Sequence, residues 1–224
     1  HIDRLADEGV RLAHCYCTNS ICTPSRATIL TGQYGHVSGV RTLRDTLDGR
    51  MSHLLQKQLQ EAGYQTAIFG KWHLGHGGEA DPTGFDYTCV LPKQGDYYDP
   101  AMIENGVEKT FPGYVSEIIT EKSLEWLRGR DPSRPFCLMC HHKAPHRPWL
   151  PGERYQDLYA DEILPEPPTL FDDYATRAEA IRVCKVHMED LDERDLKASA
   201  PDGLTAEQER SWRYQRYIKD YLRC

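Results

Sequence analysis

One order of elements occurs twice in this chain and limits its fold more than anything else: an amphipathic helical pattern, a stop, then a short apolar run. MSHLLQKQLQEAG (51–63) places Met51, Leu54, Leu55 and Leu59 on one side of a helix and stops at Gly63. YQTAIFGKW (64–72) then reads as a buried strand leading into a glycine-bearing loop. Ser116 is placed to cap a second helix that ends near Gly129, and PFCLMCHH (135–142) reads as the next buried strand. Helices alternating with short apolar strands predict an α/β layered domain. In such domains ligands gather at loops beyond the carboxyl ends of strands.

The remaining segments are organised around that alternation. HIDRLADEGV (1–10) reads as a helix in progress, with Ile2, Leu5 and Ala6 at helical spacing and Gly9 as its stop. VRLAHCYC (10–17) reads as a strand entering a cysteine loop. Thr23 is expected to be the N-cap, with Pro24 as first residue, of a helix over PSRATILTG. Gly, Pro and Tyr dominate from Gly75 to Pro112, which is expected to be a long irregular surface segment. The charged stretch from Glu153 to Gly203, with its PEPP, reads as peripheral, and a long helix is expected from near Thr205. The chain lacks an initiator Met and a signal peptide, and its last helical pattern runs to Cys224. It is therefore expected to be an internal fragment, 1–224, with a motif-bearing core over about 1–150 and a peripheral part over 151–224.

Charge and cysteine content exclude some functions. A net charge of −7 argues against a nucleic-acid partner, which calls for a basic face. In an acidic chain, a few cations around one motif point to a local anion site. No window is apolar enough for a membrane span, so no membrane partner is expected. The eight cysteines (15, 17, 22, 89, 137, 140, 184 and 224) lack zinc-module spacing. Cys15 and Cys17 would share one strand face, and Cys137 and Cys140 would point to opposite faces of theirs. Cys22 apart, the expectation is small hydrophobes in a core.

Three loops carry the chemistry: Cys22–Arg26, Lys71–His73 and His141–His146. A thiol at the start of a helix meets the helix's partial positive end, Arg26 adds a cation one turn in, and the same backbone N–H groups suit an oxyanion. Those features allow Cys22 to be a nucleophile facing an anionic substrate. Lys71 and His73, one residue apart between glycines in GKWHLG, can both address a tetrahedral oxyanion, while Trp72 is expected to pack. His142 and His146 stand four apart, but Pro145 forbids the helix face a zinc pair would need.

CTPSRATILTG (22–32) resembles the signature of the type I, formylglycine-dependent sulfatases, in which Cys-x-Pro-Ser-Arg directs oxidation of the cysteine. IDRLADEGV is similar to the helix before that signature, GYQTAIFGKWHLG to the family's second motif, and HHKAPHRPW to its third. The resemblance implies an alkaline-phosphatase-like layered domain, partial here, with a central mostly parallel sheet flanked by helices. It implies that Cys22 is converted to formylglycine (3-oxoalanine) by a maturation enzyme, and that the hydrated aldehyde attacks the sulfur of a sulfate ester. On that reading Arg26 orients and polarises the diol, Lys71 and His73 hold the sulfate, and His146 protonates the departing oxygen. Lys143 assists with substrate charge, and Gln94, with Tyr97, lines a sugar pocket. His141 is expected to be structural.

The resemblance also implies calcium beside Cys22, with its other ligands outside this chain. DYYDP, FDDY and EDLDERD read as charged surface, so the 224-residue piece is expected to bind calcium poorly and to be inactive alone. The implied substrate is a sulfated carbohydrate or an aryl sulfate; the third motif resembles the branch acting on N-acetylglucosamine-6-sulfate. A periplasmic, secreted or lysosomal location is implied by resemblance alone. Two alternatives stay open: a phosphate or phosphonate monoester hydrolase of the same superfamily, and a non-catalytic relative without the metal site.

Overall fold

A computed structural model describes residues 1–224, which divide into two compact units, His1–His141 and His142–Cys224. The boundary falls inside the third motif, ahead of the division near residue 150 expected from sequence. Each unit is described by itself.

The first unit is built on five strands in the order β4-β3-β2-β1-β5. They are β1 (Gln65–Lys71), β2 (Tyr87–Leu91), β3 (Ala101–Glu104), β4 (Val107–Thr110) and β5 (Phe136–His141). β1 runs parallel to both neighbours, with Ile68 opposite Thr88 on one side and Met139 on the other. β2–β3 and β3–β4 are antiparallel, so the sheet is mixed rather than mostly parallel. The antiparallel edge comes from Asn105-Gly106, whose φ values of 47° and 82° form a tight hairpin turn. Strands β2, β3 and β4 thus occupy a stretch that composition marked as irregular.

Helices α1 (Ile2–Glu8), α2 (Cys22–Thr31), α3 (Gly35–Ser38), α4 (Leu55–Glu61) and α5 (Val115–Gly129) complete this unit. On one face of the sheet Ala27 and Leu30 of α2 meet Ile68, Val90 and Met139, with Leu54, Trp72 and Leu74 in the same cluster. α5 packs on β1 and β5. Its Ser123 hydroxyl reaches Cys140 Sγ at 3.5 Å, while Cys137 packs toward the α2 side, so the two cysteines do face opposite ways. α5 starts after Tyr114, and Ser116 lies inside it instead of capping it.

Several local expectations are corrected. VRLAHCYC is not a strand. A strand exists only by pairing, and this stretch joins none of the five; Val10, Leu12 and Tyr16 are exposed. Cys15, Cys17 and Cys140 are exposed as well, so only some of the cysteines are core groups. In α4 the face differs: Leu55 is exposed and Gln56 is buried, its amide donating to the Thr83 carbonyl at 3.0 Å.

The second unit carries α6 (Glu179–Arg182), α7 (Glu193–Leu196) and α8 (Ala206–Arg223). α8 opens on a reciprocal Thr205–Gln208 capping box, where the sequence placed its start. Trp149 sits edge-on to Tyr217 beside Leu191 and Leu196. Asp195, expected to be surface charge, is fully buried and paired with Arg147 through a 2.9 Å bond to Nε.

Candidate active site

α2 begins at Cys22 itself, after Ile21 in extended conformation. Thr23 is not the cap. It is buried, and its hydroxyl donates to the His73 carbonyl at 3.0 Å and lies 3.3 Å from His73 Nδ1. The helix has already begun at Cys22, so Thr23 lies inside it and its hydroxyl is turned to the His73 carbonyl. Further along, Leu30 enters the core and the Thr31 hydroxyl donates back to Ala27 at 2.7 Å. Gly32, at φ 66°, closes the helix by donating to the Thr28 carbonyl. Leu-Thr-Gly therefore anchors and ends the helix that presents Cys22.

The end of β1 supplies the facing groups. Gly70, at φ 88°, lies so close to β5 that a Cβ would sit 2.0 Å from the His141 carbonyl oxygen. Lys71 Nζ lies 3.5 Å from Cys22 Sγ and donates to Gln94 Oε1 at 2.5 Å. Gln94 stands in the turn after β2, and its Nε2 is 3.1 Å from His73 Nε2. With Oε1 accepting from Lys71, the Gln94 amide donates to His73 Nε2, which leaves the His73 proton on Nδ1, toward the Thr23 oxygen. The His73 backbone is left-handed, φ 54°, and these bonds hold it there.

Arg26 closes the ring. Its Nη1 donates to the Lys71 carbonyl at 2.6 Å and lies 3.1 Å from His141 Nδ1. Burial lowers the Arg26 pKa against the opposing pull of Cys22. Burial lowers that of Lys71 too, and nearby Arg26 lowers it further, against the attraction of Cys22. Two partly desolvated cations thus lie near Cys22, Lys71 in contact with its sulfur and Arg26 lining the same cavity, an environment that favours an anion. Cys22, Arg26 and His141 line a cavity of about 450 Å³ with Trp72 and Leu74. Trp72 packs as expected, its indole N–H donating to Ala80 at 2.9 Å.

Of the residues singled out from sequence, the first unit therefore brings together Cys22, Arg26, Lys71, His73 and Gln94. Gln94 braces Lys71 and His73. Tyr97, paired with it as a sugar contact, is buried and stacked on Tyr114. Lys143 and His146 belong to the second unit. There Lys143 is buried, and His146 Nδ1 lies 2.7 Å from the Arg147 carbonyl, which can only accept. That bond puts a proton on Nδ1. Thr23 and His141 are further members: the sequence predicts Thr23 as a helix cap and His141 as structural, and neither pattern shows that the two meet His73 and Arg26.

The groups around Cys22 are a guanidinium, an ammonium, imidazoles and an amide, and no cluster of three His, Cys, Asp or Glu side chains is placed to hold a metal ion. A hard dication takes six to eight oxygen ligands, roughly. These residues do not by themselves fit a calcium site.

The sulfatase family model matches residues 1–190. Over 185 residues the chain is 45% identical to the N-acetylglucosamine-6-O-sulfatase of Bacteroides thetaiotaomicron, covering 81% of this chain and 32% of that protein. It is 29% identical over 184 residues to the N-acetylglucosamine-6-sulfatase of Bos taurus, covering 72% and 32%. Among solved structures it is similar to BT4656 in complex with its substrate D-glucosamine-2-N,6-O-disulfate. The TM-score is 0.92 at 37% identity, over 99% of this chain and 53% of that one. The chain spans about a third of the length of these two curated relatives.

Proposed function

Because the chain belongs to the sulfatase family, we propose that the protein hydrolyses sulfate esters, with Cys22 as the site of the nucleophile. The observation that carries this reading is that Lys71 Nζ lies 3.5 Å from the Cys22 sulfur while Arg26, bonded to the Lys71 carbonyl, lines the same cavity. In the active form we propose, Sγ stands in for an oxygen of formylglycine hydrate on the same Cβ. One hydroxyl of the diol gives its proton to solvent as its oxygen bonds to sulfur, and the ester's S–O bond to the alcohol breaks. The departing alkoxide takes a proton from His146. The second hydroxyl then returns its proton to His146, the aldehyde C=O re-forms and the C–O bond to the sulfate breaks, releasing sulfate. Water rehydrates the aldehyde.

Each residue has a physical task in that scheme. Lys71 meets the negative charge developing on the sulfuryl oxygens, where fixed donors are worth most, and His73 joins it as a donor when substrate takes the place of the Gln94 amide and the imidazole is protonated on Nε2. Arg26 polarises the diol. Gln94 aims Lys71 and His73, and Lys143 assists with charge on the substrate. For His146 to act as general acid, its Nε2 must carry the exchangeable proton. The relatives' names support a sugar sulfate as substrate, of the 6-O-sulfated glucosamine type. A maturation enzyme that oxidises Cys22 is the required partner.

The test is mass spectrometry of the tryptic peptide Leu12–Arg26 from full-length protein co-expressed with a formylglycine-generating enzyme, followed by assay on 6-sulfated N-acetylglucosamine, an aryl sulfate and an aryl phosphate. An aldehyde at Cys22 with sulfate release is the expected result. A retained thiol overturns the mechanism, and faster phosphate release overturns the assignment of substrate.

A further inference from the structure

We infer that His141 is a positioning residue of this site, holding the Arg26 guanidinium on Cys22; the inference rests on the sulfatase reading above. His141 is the last residue of β5 and pairs with Gly70 in the sheet register. The close approach at Gly70 fixes the backbone from which the imidazole projects. Its Nδ1 lies 3.1 Å from Arg26 Nη1 and 3.3 Å from the Lys71 carbonyl oxygen, which itself accepts from Nη1 at 2.6 Å. Three polar atoms thus share one small volume.

The shorter contact, 3.1 Å to Nη1, decides where the His141 proton goes. The guanidinium stays protonated and only donates, and a carbonyl only accepts. A proton on Nδ1 could reach the Lys71 carbonyl at 3.3 Å, but Nη1 would then face an N–H in place of an acceptor. With Nδ1 bare, Arg26 donates to two acceptors, and the His141 proton sits on Nε2. A buried guanidinium loses water and needs fixed acceptors in return. His141 and Lys71 supply them from two parallel strands, which keeps the Arg26 guanidinium in the cavity that Cys22 also lines. Without the imidazole, one anchor remains, and the guanidinium can rotate about it.

The experiment uses full-length protein carrying H141A, H141N or no change. Two quantities are read: kcat and KM on an aryl sulfate, and the Arg26 position in crystals of each. In H141A, Arg26 should leave the Lys71 carbonyl and kcat should fall about tenfold, the size of one lost hydrogen bond to a charged group, with KM changed less than about twofold. In H141N, an amide oxygen near the Nδ1 position should recover most of kcat. An H141A protein whose Arg26 stays on the Lys71 carbonyl overturns the inference, as does wild-type kcat in that variant. H141N as impaired as H141A, with equal loss of thermal stability, also overturns it. If wild-type protein cleaves no sulfate ester, the sulfatase reading fails separately, and the position of Arg26 in H141A still decides the role of His141.

Discussion

The Arg26 guanidinium donates to the backbone carbonyl of Lys71 at 2.6 Å, tying the helix that starts at Cys22 to the strand end that delivers Lys71 and His73. The same side chain therefore sets the distance between the two motifs and adds charge to the site. Replacing it tests both tasks. R26A should lower kcat on an aryl sulfate by about 100-fold or more, the usual cost of a fixed donor at a developing anion. R26K keeps the charge without the planar fork and should recover only a small part.

Lys71 must be protonated to meet an anion, and burial, then Arg26, lower its pKa from the ordinary 10.5. Conversion of Cys22 removes the thiol whose charge opposes that shift. As pH rises, Lys71 loses its proton earlier than a solvated lysine does. The alkaline limb of kcat/KM should accordingly fall below pH 10.5, and K71R, though less active, should lose that limb. A limb that K71R leaves in place assigns it to another group.

Thr23 holds the left-handed backbone of His73 from a position fifty residues earlier. T23V keeps the shape and removes the hydroxyl, leaving a buried carbonyl without that donor. It should cost about 1 kcal/mol in urea unfolding and lower kcat, whereas T23S should behave nearly as wild type. Equal loss in both variants assigns Thr23 to packing alone.

Gly70 admits no side chain, because its φ is 88° and a Cβ would fall 2.0 Å from the His141 carbonyl. G70A should destabilise the protein by roughly 2–4 kcal/mol, from backbone strain and overpacking together. Thermal melting of the purified variant, or its failure to accumulate as folded protein, reads this directly.

At the sheet edge, Lys109 and then Tyr87 hold the Glu104 carboxyl at about 2, below the ordinary 4.5. A depressed carboxylate contributes stability that is present above its unfolded pKa and lost as pH falls through the folded one. The window runs from about 4.5 down to about 2. Wild type should therefore lose its stability advantage over E104Q in urea as pH falls across that window, by on the order of 1 kcal/mol since Lys109 is half exposed. Parallel acid limbs in wild type and E104Q would remove Glu104 from the account.

How much was legible in the sequence follows from the reach of each signal. β1 and β5 were readable because continuous apolar runs between stops leave a strand few alternatives, and α8 because its capping box is local. The Asn105-Gly106 hairpin was also written locally, in one dipeptide, but glycine, proline and tyrosine around it gave the stretch the look of a loop. VRLAHCYC shows the opposite error: strand-like composition without a partner makes no strand. The buried Asp195 was misread for a similar reason, since its partner Arg147 lies 48 positions away.

By itself the sequence determined the local units: a helix just after Cys22, a buried strand leading into Lys71–His73, and motifs that resemble a family's. Tertiary structure decided what those residues do to one another. Thr23 left its expected cap for His73, Gln94 became the brace between Lys71 and His73, and His141 met Arg26 across 115 positions. Propensities and caps act over one turn of chain, whereas a buried donor is satisfied by whatever acceptor the fold brings within 3 Å or so. Only the assembled sheet, with β1 pressed onto β5 at Gly70, fixes which acceptor that is.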